Sequence, residues 1–240
     1  MHIDRLEFLL AFLAVLTGAA IQGSIGFGLN LVLVPVLALI EPASLPGVGV
    51  LIGFPLWILV YAREHHATDR TGATWILAGH LPGAIVGGLV VTMVSVPTLT
   101  LLSGSAVLIA VIVSIIHNNV AVSTRSCLVG GFSSGFMNTC AGIGGPPLAL
   151  LYQNKTGAEV RSTLAASFFF GGLISAATLA VSGGLQWHHL TLSLALAPAT
   201  ILGSSLSRVV LAKIDRGLLR PAVLAFGGIA GVAVITNAIV

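Results

Sequence analysis

Two short stretches of this sequence set glycines among small polar side chains in otherwise apolar surroundings. They are Gly23-Ser24-Ile25-Gly26-Phe27-Gly28 and Ala141-Gly142-Ile143-Gly144-Gly145-Pro146-Pro147. Gln22, Ser24 and Asn30 accompany the first, and Asn138, Thr139 and Cys140 precede the second. Neither stretch holds a carboxylate or a cation, so its chemistry is recognition by hydrogen bonds. A helix that breaks and restarts presents unpaired backbone N–H groups at the restart, where the dipole favours an anion and glycine admits a ligand to the backbone. The candidate substrate-contacting residues are therefore Gln22, Ser24, Gly26, Phe27, Gly28, Asn30, Asn138, Thr139, Cys140, Gly142, Gly144 and Gly145. The competing expectation is that these glycines only let helices pack closely.

His80 is the one titratable side chain deep in an apolar segment besides Cys127 and Cys140. It is the candidate coupling residue for a proton, against the plainer role of a neutral histidine satisfied by packing. Cys140 is more simply a small apolar filler than a ligand contact. Ser162, Thr163 and Ser167 could line a cavity, although such residues often bond back to their own helix. His117 and the pairs His65-His66 and His188-His189 are expected at helix ends. Adjacent residues on a helix diverge by about 100 degrees, so neither pair is a ready metal site. No cofactor or metal is implied, and Trp57, Tyr61, Trp75 and Trp187 are expected to form an interfacial belt.

The elements that position these residues follow from composition. Of 240 residues, 56% are hydrophobic and 7% charged, against roughly a quarter charged in soluble domains. A core of this size cannot hide that much apolar surface, so lipid must be the solvent. The net charge of +3 comes from ten scattered Lys and Arg and points to topology rather than to nucleic acid. Eight hydrophobic units are expected, all helical: 6–40, 44–62, 72–92, 97–117, 126–151, 162–182, 190–208 and 218–239. Residues 8–40 carry no charge and would make a helix of roughly 50 Å in a hydrocarbon core of about 30 Å, so the first unit should break at its glycines. The fifth unit should break at Pro146-Pro147.

Setting Ile25-Gly26 on Ile143-Gly144 gives a spacing of 118, and Pro82-Gly83-Ala84-Ile85-Val86-Gly87 repeats as Pro198-Ala199-Thr200-Ile201-Leu202-Gly203 at 116. Two matches at nearly one spacing argue for duplicated halves, 1–120 and 121–240, within one transmembrane domain. If units one and five are helical hairpins that return to their own side, nine of the ten basic residues share one face and only Arg5 opposes them. A hairpin at unit five alone places all ten together, so the side of the N-terminus stays open. Two hairpins are preferred, because duplicated halves should be built alike. The expected fold is an all-α integral membrane protein of two inverted repeats, each a glycine-broken hairpin plus three transmembrane helices.

At the breaks the sequence resembles the TauE/SafE family of membrane permeases, the sulfite exporters. Gly23-Ser24-Ile25-Gly26-Phe27-Gly28 with Leu33-Val34-Pro35-Val36-Leu37, and Gly131-Phe132-Ser133-Ser134-Gly135 with Gly142-Ile143-Gly144-Gly145-Pro146, carry the resemblance. It extends over essentially the whole chain. It implies secondary transport of small anions such as sulfite, organosulfonates or carboxylates, in a multi-pass protein of the bacterial inner membrane. The usual glycine triplets read Gly26-Phe27-Gly28 and Gly144-Gly145-Pro146 here, and Phe27 would narrow the site. An anion channel is the alternative, and an intramembrane enzyme the weaker one, since the interior offers no nucleophile with a general base. The expected partners are the anion and the bilayer; a coupling proton or ion and a homo-oligomer stay open.

Overall fold

The structure is a computed structural model that describes residues 4–116 and 120–209, together with Ala225, Gly228, Ile229, Val232 and residues 234–236. His117 and most of the eighth unit, with Lys213, Arg216 and Arg220, lie outside the described residues.

Ten α-helices and two short 3-10 turns make up the described chain, with no strand among the described residues. The first unit divides into α1 (Arg5–Ile25) and α2 (Leu29–Ile40), and the fifth into α7 (Thr124–Ala141) and α8 (Gly145–Tyr152). Asp4 opens α1 with a reciprocal capping box to Glu7, an arrangement worth about 1 kcal/mol. Both broken units end their first helix on a left-handed glycine, Gly26 at φ 97° and Gly142 at φ 73°, a conformation in which a side chain costs about 1–3 kcal/mol. These equivalent caps are spaced 142 − 26 = 116, the spacing of the Pro-to-Gly match. Superposing the two caps sets Gln22 on Asn138, two residues from the register that sets Ile25-Gly26 on Ile143-Gly144.

The second unit, expected as one helix, is split at Ile52-Gly53 into α3 (Gly47–Leu51) and α4 (Phe54–Glu64). Pro55 sits in the first turn of α4, where its missing N–H costs nothing, and the Trp57 ring covers Gly53. The remaining helices are α5 (Arg70–Met93), α6 (Val96–Ile116), α9 (Gly157–Val181) and α10 (Trp187–Val209). Among the described residues, 5–25, 47–67, 70–93, 157–181 and 187–208 are long and apolar enough to cross a membrane. Leu9, Leu13, Leu81, Leu89, Leu173 and Leu202 point outward, as lipid-facing side chains do.

The helices pair so that each hairpin leans on the other half. α1 packs along α10 and α7 along α5, while α4 meets α9. Gly79, Gly83 and Gly87 of α5 lie against the backbone of Leu128, Phe132 and Phe136 in turn, so α5 and α7 run in the same direction. Likewise Leu16 and Ala19 touch Gly203, and Gly23 touches Ser207, so α1 and α10 are parallel. α9 follows α5, with Asp69 beside Thr163 and His80 beside Ser175, which places the start of α10 at the far end from the start of α5. The end of α8 returns to the start of α5, where Tyr152 Oη donates to Asp69 Oδ2 at 2.8 Å. The chain after α2 reaches the start of α10, where the Ala43 carbonyl lies 3.0 Å from His189 Nε2. The two hairpins thus open towards opposite ends of the molecule.

A labelling experiment checks this arrangement. On a background with Cys127 and Cys140 replaced, Arg70→Cys and Lys155→Cys are expected to react with impermeant reagent from one face of the membrane, and Gln186→Cys from the other. Reaction of all three from a single face would overturn it.

Candidate functional site

The two breaks meet in the interior. Asn30, in the first turn of α2, donates through Nδ2 to the Gly49 carbonyl at 2.8 Å and to the Gly142 carbonyl at 2.6 Å, so one amide ties the first break to α3 and to the second break. Gln22 spans its own break, its Oε1 accepting from the Leu29 N–H at 3.0 Å. Ser134 Oγ donates to the Gly144 carbonyl at 2.7 Å and holds the second break closed on α7. Each bond satisfies a backbone group that the interruption leaves over, because hydrocarbon offers no water to do so.

Gln22, Gly28, Asn30, Asn138, Gly144 and Gly145 border one cavity of about 20 Å³, with Trp57 and Phe168 as its aromatic walls. That is room for about one water molecule. Two of the wall residues keep a buried polar atom without a partner, Asn30 Oδ1 and Trp57 Nε1. Neither helix restart receives a hydrogen bond from its own N-cap side chain, since both N-caps, Gly28 and Gly144, are glycines. The site is therefore neutral, with the positive ends of α2 and α8 beside it, while the Leu29 N–H is taken by Gln22 and Pro146 and Pro147 bring no N–H to the start of α8.

The other sequence-derived candidates lie elsewhere. Gly26 and Gly142 are the left-handed caps. Ser24 turns back to the Ala20 carbonyl at 3.0 Å, and Ser24 and Phe27 line a separate pocket. Cys140 is buried against Val90, Val91, Phe136 and Met137 and does not border the cavity. Thr139 joins a polar network one layer behind it. Asn138 Nδ2 and Thr139 Oγ1 both donate to Ser175 Oγ, at 3.1 and 2.9 Å, and Ser175 lies 3.0 Å from His80 Nε2. With two donors on its oxygen, Ser175 gives its single proton to His80, so Nε2 is the accepting nitrogen and Nδ1 carries the proton. Of the serines and threonines after the second hairpin, Thr163 accepts from the Asp69 N–H, Ser162 bonds back to Glu159, and Ser167 Oγ is buried without a partner.

Three features depart from expectation. Trp57, assigned above to the interfacial belt, is 4% exposed and walls the cavity, whereas Trp75 and Trp187 do face outward. His189 is at the start of α10, the helix end expected of it, but is buried at 2% exposure, with its Nε2 3.0 Å from the Ala43 carbonyl. The third is a cluster of charges. Arg161 donates through Nε and Nη2 to the two carboxylate oxygens of Glu64, at 2.8 and 3.1 Å, and through Nη1 to the Ser24 carbonyl at 3.2 Å. Arg63 donates to Glu64 at 2.8 Å and to the Gly23 carbonyl at 3.3 Å. Read along the chain these are loop charges; the cue was the nearly apolar setting of each.

The chain matches the family described as Sulfite exporter TauE/SafE over residues 10–234. No curated protein and no solved structure matches it.

Proposed function

The chain belongs to the sulfite exporter TauE/SafE family of membrane transporters, and from that membership we propose a secondary transporter that moves sulfite, organosulfonates or related small sulfur-containing or carboxylate anions by alternating access around the two glycine breaks, in the bacterial inner membrane. The observation that carries this reading is the convergence of both breaks on one cavity. The opposite openings of the two hairpins support an inverted duplication, which supplies the two equivalent conformations that alternating access requires. An anion there loses its hydration but lies at the positive ends of two helices, has the unpartnered Trp57 N–H in its wall and meets no carboxylate, so the desolvation penalty is offset without an opposing fixed charge. Flux in proteoliposomes across sulfite, an alkanesulfonate, sulfate and a small carboxylate tests the proposal. Saturable counterflow of at least one of these supports it. Non-saturable conductance would make the protein a channel, and no flux at all would remove the reading.

Coupling to protons, if present, runs through His80. A proton added to Nε2 turns that nitrogen into a donor towards an oxygen that already accepts from Asn138 and Thr139. Ser175 must then redirect its own proton, either by reversing its bond with Thr139 or by releasing Asn138, and Asn138 borders the cavity. His80→Gln keeps a polar group of similar reach but cannot take up a proton near neutrality. It is expected to flatten the dependence of flux on an imposed pH gradient while changing the anion KM by less than about threefold. Full pH-driven accumulation by this variant would make His80 purely structural.

A further inference from the structure

Beside the first break, at the end of the molecule that holds Lys155, lies a pocket of about 260 Å³. Ser24, Ile25, Phe27, Gln153, Lys155 and Arg161 line it, so its walls hold two cationic side chains and no carboxylate. Arg161 is 11% exposed and fixed in place by Glu64 and the Ser24 carbonyl. Lys155 is the more exposed of the two and reaches Glu159 at 3.1 Å.

We propose that this vestibule is a loading site for a small oxyanion, with Arg161 as its fixed charge and Phe27 as the partition from the central cavity. Size decides between the two spaces. The central cavity, at about 20 Å³, takes a single water in this conformation, while about 260 Å³ takes a polyatomic anion with part of its hydration. Charge agrees with size. The carbonyls that end α1 carry the negative end of its dipole and would repel an arriving anion. Arg63 and Arg161 sit on two of those carbonyls, Gly23 and Ser24. Arg161 directs three of its N–H groups to protein acceptors, and a guanidinium has five, so one N–H on Nη1 and one on Nη2 remain for an oxyanion.

Phe27 lines the vestibule, and its Cβ lies 3.5 Å from where a side chain on Gly145 would begin. Gly145 in turn borders the central cavity. Phe27 and Gly145 therefore stand between the two spaces. The order of the two positions rests on the transport reading above; the existence of the vestibule site does not.

Two measurements on the full-length protein separate these. Gln153→Cys, on the background without native cysteines, places a thiol in the vestibule. An anionic thiosulfonate reagent is expected to modify it faster than a cationic one of similar size. Arg161→Gln should reduce that ratio severalfold, on the order of fivefold for opposite unit charges a few ångströms from a lost cation in water, and Arg161→Lys should restore most of it. A ratio that stays within twofold in Arg161→Gln overturns the proposal. Should that variant fail to fold, Lys155→Gln applies the same criterion with a smaller expected change. In proteoliposomes with sulfite as the probe, Arg161→Gln is expected to raise KM at least tenfold with kcat within threefold, and an unchanged KM would equally overturn the loading role. Charge-selective labelling in a protein that carries no anion flux would keep the vestibule and remove the transport reading alone.

Discussion

Gly83→Leu is expected to leave no stably folded protein. The α5–α7 contact is backbone on backbone: Gly79 and Gly83 on one helix face the Leu128 and Phe132 carbonyls, and Gly131 and Gly135 on the other face the Ile76 and His80 carbonyls. A methyl at position 83 would run into the Phe132 carbonyl, and a leucine adds three further carbons. Lipid tails are as apolar as leucine, so helices in a bilayer are held by close van der Waals contact, and moving two of them apart forfeits it along the whole stripe. One extra methylene in a packed core already costs about 1–3 kcal/mol. Four carbons against backbone should exceed about 4 kcal/mol, a large share of the 5–15 kcal/mol that holds a typical domain together. Size exclusion and thermal unfolding in detergent report the outcome. Gly130→Leu on the partner helix α7 is the control, since the nearest atom to a side chain there is Leu148 Cδ2 at 3.6 Å. A monodisperse Gly83→Leu protein with unchanged Tm would mean that this contact is dispensable.

The second large effect falls on transport and spares the fold. Gly144→Leu should lower flux by about a hundredfold or more while the protein still inserts and stays monodisperse. A Cβ at position 144 would stand 2.9 Å from Asn138 Cβ and 3.0 Å from Ser134 Oγ, so the new side chain must displace the two residues that shape the second break. Misplacing a recognition group by about 1 Å costs roughly a hundredfold in comparable pre-organised sites. Gly26→Leu should abolish flux as well, but with some loss of stability, because it also puts a side chain on a left-handed backbone at φ 97°. Gly145→Ala is the mild member of the series, its nearest contacts being ordinary ones at 3.5 and 3.8 Å. Flux normalised to inserted protein distinguishes the cases. Normal flux in both leucine variants would remove the breaks from the transport path.

The membrane setting, the helical character of the first seven units and both breaks were legible without coordinates, because each depends on what a residue does in its own neighbourhood. Apolar runs need lipid, Pro146-Pro147 cannot continue a helix, and the charge-free run 8–40 is too long for one crossing and gives way at its glycines. The break at Gly53 was equally local and was passed over because Gly53-Phe54-Pro55 lies in a unit already of ordinary spanning length.

What only the tertiary structure decided concerns pairing across the chain. Asn30 with Gly142, Ser175 with His80 and Asn138, and Arg161 with Glu64 join residues 112, 95, 37 and 97 positions apart. Their partners depend on which helix faces meet. That choice rests on side-chain volume and glycine placement summed over whole interfaces, which no local window contains. The same holds for Trp57, whose position near a helix end suits an interfacial belt until α4 packs on α9 and turns the ring inward. It holds too for the two charges at the mouth of the first break. In sequence Arg161 and Glu64 are charges beside connections, and only the folding of α9 against α4 brings them onto the carbonyl end of α1, where they change what the break can bind.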